Sequence, residues 1–405
     1  MTDTYTYKVR DRSGKLIEGS LEADSTSLVV ARLKDLGYIP LSIDKKSTSK
    51  LNKEFTFPGM NPIKLIEVAV FSRQFATMVN SGLTLLRSIS ILSEQADNKA
   101  LAEALNKIRL DIEKGSSLSQ ALAKYPKIFN KLYVAMVRAG EVGGVLDSVL
   151  LQLSSTIEKQ VELRRKIKSA LTYPSAVLGF VVIILVAMLL FVVPSFKNIY
   201  SSLGGTLPLP TRILMSISTG LANFFPFVII AIGLLIFGFR RYIATEKGRS
   251  LWDKIKLKIW LFGKLIHKTS LARFSRTLSS LLKAGVPILE SLEITKDTVG
   301  NSVVADAVVD AKEGVRQGES LAARFMNHPV FPPMVVQMLS VGEETGSVDT
   351  MLEKVAEFYE QEVEAIVDSL TSLLEPALMV VLGGAVGSMI ISLYLPMFDV
   401  IKLIH

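Results

Sequence analysis

The sequence predicts a mainly α-helical, polytopic membrane protein with two duplicated cytoplasmic helical bundles, three transmembrane helices and a small N-terminal α+β domain. Three observations carry this fold class. Three apolar runs are long enough to cross a bilayer, one block of sequence is written twice, and each copy carries amphipathic stripes at helical spacing. The chain has 405 residues, 49% of them hydrophobic, so membrane spans are the first thing to look for. It has no cysteine, which excludes disulfides and thiolate metal sites. His267, His328 and His405 stand apart, leaving little material for histidine metal or triad chemistry. The net charge of +8 leaves nucleic acid and anionic lipid headgroups as possible partners.

The N-terminal stretch MTDTYTYKVR is polar and lacks the apolar core of a signal peptide, so the chain is expected to start in the cytoplasm. Tyr5, Tyr7 and Val9 alternate as a strand, DRSG turns it, and Lys15 to Glu22 form the return strand. Asp24 or Ser25 then caps a helix bearing Val29, Val30, Leu33 and Leu36, which Gly37 ends; Ile39 to Ile43 suit a third strand. Residues 1–43 make this α+β domain. Residues 44–63 read as a linker, with a FTFPG patch that is either a spacer or a docking element.

The first cytoplasmic bundle is expected over residues 64–170. FSRQFATMVNSG from Phe71 aligns with FSRTLSSLLKAG from Phe274, and the same spacing pairs Gly82 with Gly285, Gly115 with Gly318 and Pro126 with Pro329. One residue is then lost, and the register pairs Gly140 with Gly342, Glu141 with Glu343, Gly144 with Gly346, Asp147 with Asp349, Pro174 with Pro376 and Pro194 with Pro396. Leu146, Val149, Leu150, Leu153 and Ile157 form a helical stripe that Val348, Met351, Leu352, Val355 and Tyr359 repeat. A G-x-S-L turn at Gly115 and again at Gly318 places a serine where a helix can be capped.

The three spans are residues 175–193, 221–239 and 376–395. Arg164, Arg165, Lys166 and Lys168 precede the first, and a long basic series from Arg240 to Lys268 follows the second. Only Lys197 and Arg212 lie between them. The positive-inside rule then makes residues 197–220 a periplasmic loop, 240–374 a basic juxtamembrane segment with the second cytoplasmic bundle, and 396–405 a short periplasmic tail. Two repeats with soluble parts on one side need a return crossing, and the second span, which has no counterpart in the repeat, supplies it. The acidic run from Glu357 to Glu375 has no Lys or Arg and does not fit the charge rule; it reads as a solvated helix face or as the complement of a basic surface.

The candidate site is the doubled signature RAGEVGGVLD at Arg138 and SVGEETGSVD at Ser340. Gly140, Glu141, Gly144 and Asp147, with Gly342, Glu343, Gly346 and Asp349, could be a tight helix corner whose Asp or Ser/Thr caps the next helix. They could also be a partner contact or a cation site. One copy offers too few oxygens for a hard cation. No phosphate-loop, zinc-protease or nucleophile-elbow motif occurs, and the spans hold no ionisable side chain. The sequence therefore names no catalytic, cofactor-binding or metal residue. The basic run with Trp252 and Trp260 suits anionic headgroups better than nucleic acid. Gly383 and Gly387 form a G-x-x-x-G stripe suited to helix packing, with a dimer favoured.

The doubled FSR blocks, the G-x-S-L turns, the G-E-x-x-G-x-x-D signatures and the three spans together resemble the GspF/PilC family of bacterial platform proteins. The resemblance covers Leu65 to His405, and Tyr5 to Ile43 resembles the family's N-terminal domain. It implies a non-enzymatic inner-membrane platform of a type IV pilus machine, or alternatively of a type II secretion machine. In such machines a separate cytoplasmic assembly ATPase docks on the platform and pilin or pseudopilin subunits are fed into a filament alongside other inner-membrane alignment proteins. A polytopic transporter or membrane enzyme is the remote alternative.

Overall fold

The computed structural model describes residues 3–10, 16–23, 26–45, 62–196, 208–260 and 262–403. The chain divides into two compact units, Met1–Pro62 and Ile63–His405. Several expectations lie outside the described residues: the DRSG turn, the Asp24 or Ser25 cap, the linker with its FTFPG patch, residues 197–207 of the outer loop, and His405.

In the first unit, β1 (Asp3–Arg10) pairs antiparallel with β2 (Leu16–Ala23) and with β3 (Ile39–Lys45), in the order β2-β1-β3. Tyr5, Val9 and Ala23 bury one face against Val29 and Leu33 of α1 (Thr26–Asp35). The alternation of Tyr5 and Val9 is what a half-buried strand requires. Pro40 has no N–H to give a ladder, and it sits on β3 at the sheet edge, beside the register shift at Lys8/Val9. Leu36 belongs to the turn after α1 and is 66% exposed, so it is not part of the buried stripe.

The second unit is mainly helical. Its first repeat runs α2 (Leu65–Asn80), α3 (Leu85–Gln95), α4 (Lys99–Glu113), α5 (Leu118–Ala123), α6 (Lys131–Gly143) and α7 (Leu146–Ala187). A π-helical turn, Met188–Val192, extends α7 toward Phe196. The return helix is α8 (Leu209–Ile243), followed by α9 (Glu246–Lys258). The second repeat is α10 (Phe262–Lys283), α11 (Ile288–Thr298), α12 (Ser302–Arg316), α13 (Leu321–Met326), α14 (Pro333–Thr345) and α15 (Val348–Leu403).

Among the described residues three helices are long and apolar enough to cross a membrane: Leu146–Phe196, Leu209–Ile243 and Val348–Pro396. Bundle and span were expected as separate elements. Instead α7 and α15 run from the bundle core into the apolar run without a break, across Pro174 and Pro376. A proline removes one helical N–H and crowds the preceding turn, but long helices absorb it. At 1.5 Å per residue, the 56 residues of α15 span about 84 Å.

Each repeat has its own core. Phe71, Phe75, Phe129 and Tyr133 stack in the first, with Phe71 and Phe129 ring centroids 5.8 Å apart. Phe274 and Phe331 hold the matching places in the second, 4.9 Å apart, and Phe325 joins them. The predicted stripes are the buried faces of the long helices: Val149, Leu150, Leu153 and Ile157 on α7, and Leu352, Val355 and Tyr359 on α15. Burying each such side chain stabilises the fold by about 1.5–3 kcal/mol.

At the far end of the spans Val193, Met215 and Leu393 pack together. Two repeated prolines shape this contact. In the π turn the Val193 N–H donates to Met188 O, so the next bond, to Leu189 O, falls to Pro194, which has no N–H. The Ser218 hydroxyl of α8 donates to Leu189 O instead, at 2.5 Å. Likewise Pro396 cannot donate to Ser392 O, and the Thr211 hydroxyl of α8 does. One unrepeated helix thus satisfies the carbonyls that both repeated prolines leave bare.

Candidate functional site

The doubled signature forms the same corner twice. Gly144 is the left-handed C-cap of α6, with φ 68°, and Gly346 closes α14 with φ 67°. An L-residue with a side chain rarely adopts this conformation, which is why glycine stands there. Gly140 answers a different need. A Cβ at Gly140 would lie 3.1 Å from Leu146 Cα, and one at Gly342 would lie 2.8 Å from Val348 Cα. Each long helix therefore leaves its corner by crossing directly over a glycine of the preceding helix.

Glu141 and Glu343 reach back to another helix. The Glu141 carboxylate accepts from Leu118 N at 2.5 Å, Ser119 N at 3.2 Å and Ser119 Oγ at 2.5 Å. Glu343 accepts from Leu321 N at 2.6 Å, Ala322 N at 3.1 Å and Ser320 Oγ at 2.6 Å. The acceptors hold the N-termini of α5 and α13, where unpaired N–H groups and the helix dipole favour an anion. The serines of G-x-S-L cap the same ends: Ser117 Oγ accepts from Gln120 N and Ser320 Oγ from Ala323 N. The third donor to the carboxylate differs, because Ala322 stands where the first repeat has Ser119 and Ser320 takes over. Sequence reasoning paired the acids correctly but did not find these targets. The recurrence of G-x-S-L ahead of G-E in both repeats, 25 residues apart in the first and 24 in the second, was the available signal.

Asp147 and Asp349 sit in the first turns of α7 and α15. An Asp or a Ser/Thr was expected to cap the next helix; the N-cap of α7 is Val145, which makes no side-chain cap. Asp147 lies two residues past that capping position, so it acts through its charge at a helix N-terminus. Both Glu141 oxygens accept from donors at the start of α5. Among the described residues no three His, Asp or Glu side chains converge as a metal site.

A second repeated contact escaped the sequence reading. Arg73 of the first FSR block makes a bidentate pair with Glu158 of α7, and Arg276 of the second makes the same pair with Glu360 of α15. The Arg73 hydrogen bonds hold the Glu158 carboxyl below its usual range despite partial burial. The two pairs differ in burial, the Arg276 side chain being 7% exposed and Arg73 43%. The serine beside each arginine diverges too. Ser72 Oγ donates to Val68 O and is hydrogen-bonded to the Tyr133 hydroxyl, whereas Ser275 Oγ, equally buried, has no partner among the described residues. Val335 occupies the place of Tyr133, and the bond vanished with the hydroxyl.

The acidic run toward the third span is accounted for in part. Glu360 pairs with Arg276, Glu362 with Lys268 and Glu364 with Lys166, so it complements basic side chains of α10 and α7. Within the spans, a Cβ on Gly383 or Gly387 would meet nothing within 4 Å, so this stripe lies open. Trp260 is 86% exposed and Trp252 stacks edge-on to Phe239 at 5.0 Å.

Comparison with known proteins matches this arrangement. The sequence profile described as "Type II secretion system (T2SS), protein F" matches twice, over residues 71–194 and 274–396, and that family's N-terminal domain profile matches residues 1–44. The chain is 45% identical to the type IV pilus assembly protein PilC of Thermus thermophilus, over 98% of each chain. It is 40% identical to the PilC of Myxococcus xanthus, over 98% of this chain and 95% of that one. It is 29% identical to the type II secretion system protein F of Vibrio cholerae, over 98% of both.

Proposed function

The chain belongs to the type II secretion system protein F family, the GspF/PilC family, and from that premise we propose that it is the inner-membrane platform of a type IV pilus assembly machine. The observation that carries the pilus reading over the secretion reading is identity over nearly the whole chain. It is 45% and 40% with two pilus assembly proteins and 29% with a secretion protein F. On this reading the platform couples a separate cytoplasmic assembly ATPase to the insertion of pilin subunits and catalyses no reaction itself. The two bundles face the cytoplasm, as the basic residues flanking the first two spans favour, and the C-terminus faces outward. Residues 1–43 act as a small α+β domain joined by the linker 44–63, and the basic stretch after the second span contacts anionic headgroups.

We read the repeated acids and glycines as the corners that fix each long helix on its bundle. This reading is supported by the tie of Glu141 and Glu343 to helix donors. The test is deletion of the chain in its host, with filaments counted by electron microscopy and exoprotein secretion assayed in parallel. Loss of filaments with secretion intact is expected. Intact filaments with failed secretion would put the type II reading in its place. Co-purification of the ATPase with wild-type chain but not with a chain lacking the cytoplasmic bundles tests the coupling.

A further inference from the structure

The two repeats already touch: α7 packs along α15, like on like, and a second contact joins the repeats head to tail. α10 and α11 of the second repeat pack on α6 and α7 of the first. Arg138 pairs with Glu290, Lys131 with Asp297 and the Thr156 hydroxyl with that of Ser280. The joint thus has an entering face, on the second repeat, and a receiving face, on the first.

Each repeat carries both faces, and the head-to-tail part of the internal joint uses only one from each. The entering face of the second repeat is closed: Leu281 is fully buried and Val286 is 5% exposed. The same positions in the first repeat are Met78, half-buried, and Leu83, 37% exposed, with Leu86 open to the same extent beside it. On the receiving side, Thr156 of the first repeat is buried, while its counterpart Phe358 is 42% exposed and Val341 on α14 is 46% exposed. A joint between unlike faces leaves one of each unused, and such joints repeat into a ring where the rotation closes and into an open array where it does not. We propose that the open α2–α3 face of one chain docks on the α14–α15 face of a second copy of this chain, repeating between chains the joint made within each.

Charge complementarity supports a second copy as the occupant. Inside the chain the base is on the receiving face, Arg138, and the acid on the entering face, Glu290. At the open faces the polarity is reversed. Arg87 occupies the place of Glu290, and its guanidinium has no partner among the described residues. Ser340 occupies the place of Arg138, and Glu344 lies one turn on, accepting only from the Ser340 hydroxyl. Arg87 therefore meets Glu344. The polar Thr156–Ser280 contact becomes Phe358 against Thr77 and Met78, so apolar burial grows where a bond is lost. Reversed polarity also bars two first repeats from pairing, since Arg87 would face Arg138. The inference does not depend on the pilus reading.

The chain has no cysteine, which makes cross-linking clean. Full-length Arg87→Cys and Ser340→Cys variants, differently tagged and co-expressed, are reconstituted in nanodiscs and oxidised. A cross-linked heterodimer is expected from the mixture and none from either variant alone. In a second arm, Arg87→Glu or Glu344→Arg in the cysteine-free chain weakens self-association about tenfold by sedimentation, and the double reversal restores it. The idea is overturned by a strictly monomeric wild type or by Arg87→Cys linking to itself. Single reversals that leave association unchanged would also overturn it. Recovery of self-association on deleting residues 1–62 from a monomeric chain would make the N-terminal unit the occupant.

Discussion

Replacing Glu141 by alanine strips one acceptor from three donors at the start of α5. Two are main-chain N–H groups that have no partner inside their helix. Loss of a helix N-terminal cap costs about 0.5–2 kcal/mol, and a charged acceptor belongs at the upper end. Water reaches this half-buried corner and replaces part of the loss, so about 2 kcal/mol is the expected local effect. Hydrogen exchange reads it where it arises. The amides of Leu118 and Ser119 should lose on the order of thirtyfold in protection, since each 1.36 kcal/mol is about tenfold. Glu141→Gln keeps one carbonyl acceptor and should lose about fivefold, roughly 1 kcal/mol. Glu343→Ala should act in the same way on Leu321 and Ala322 while sparing the first repeat. Unchanged protection in Glu141→Ala, alongside lowered protection in Ser117→Ala, would refute the claim that the acid holds this helix end.

The duplicated ion pairs should separate by burial. Arg276→Met strands Glu360 in a protected site and should cost about 3–5 kcal/mol, whereas Arg73→Met should cost about 0–1 kcal/mol in denaturant melts; equal losses would contradict this. Ser275→Ala should be neutral or stabilising, because it removes a buried hydroxyl without a partner, and Ser72→Ala should cost about 1 kcal/mol by the same melts. Glu293, hydrogen-bonded by Lys296 and Lys312, has its carboxyl lowered from 4.5 to about 2. The folded value is the depressed one, so its contribution is complete above 4.5 and fades as pH falls toward 2. Glu293→Gln should flatten that part of the acid melting profile, less visibly in high salt because the pair is partly exposed; identical slopes would disprove it.

The helical class, the repeat and the spans were legible because each rests on a pattern many residues long. Leu153 and Tyr359 lie where the stripes put them. The glycines of the signature were legible as a corner because backbone constraint is local. The partners of Glu141 and Arg73 were not. They lie 22 to 85 residues away, and no periodicity relates a carboxylate to a distant helix end. The repeat itself held the missing information, since each pair recurs at corresponding positions. The continuity of α7 and α15 was missed for another reason. Proline marks a boundary by statistics, but a helix packed on both sides of it has too many bonds elsewhere to stop there.

The hydroxyls of α8 set an order of assembly. A first span alone in the bilayer would present Leu189 O to hydrocarbon, where an unsatisfied carbonyl costs several kcal/mol. Ser218 follows in the very next helix, so the first two spans are most stable entering as a hairpin, the second completing the first. The last span arrives with the same defect at Ser392, and Thr211 already waits there. The bonding therefore favours insertion as a pair and then a single.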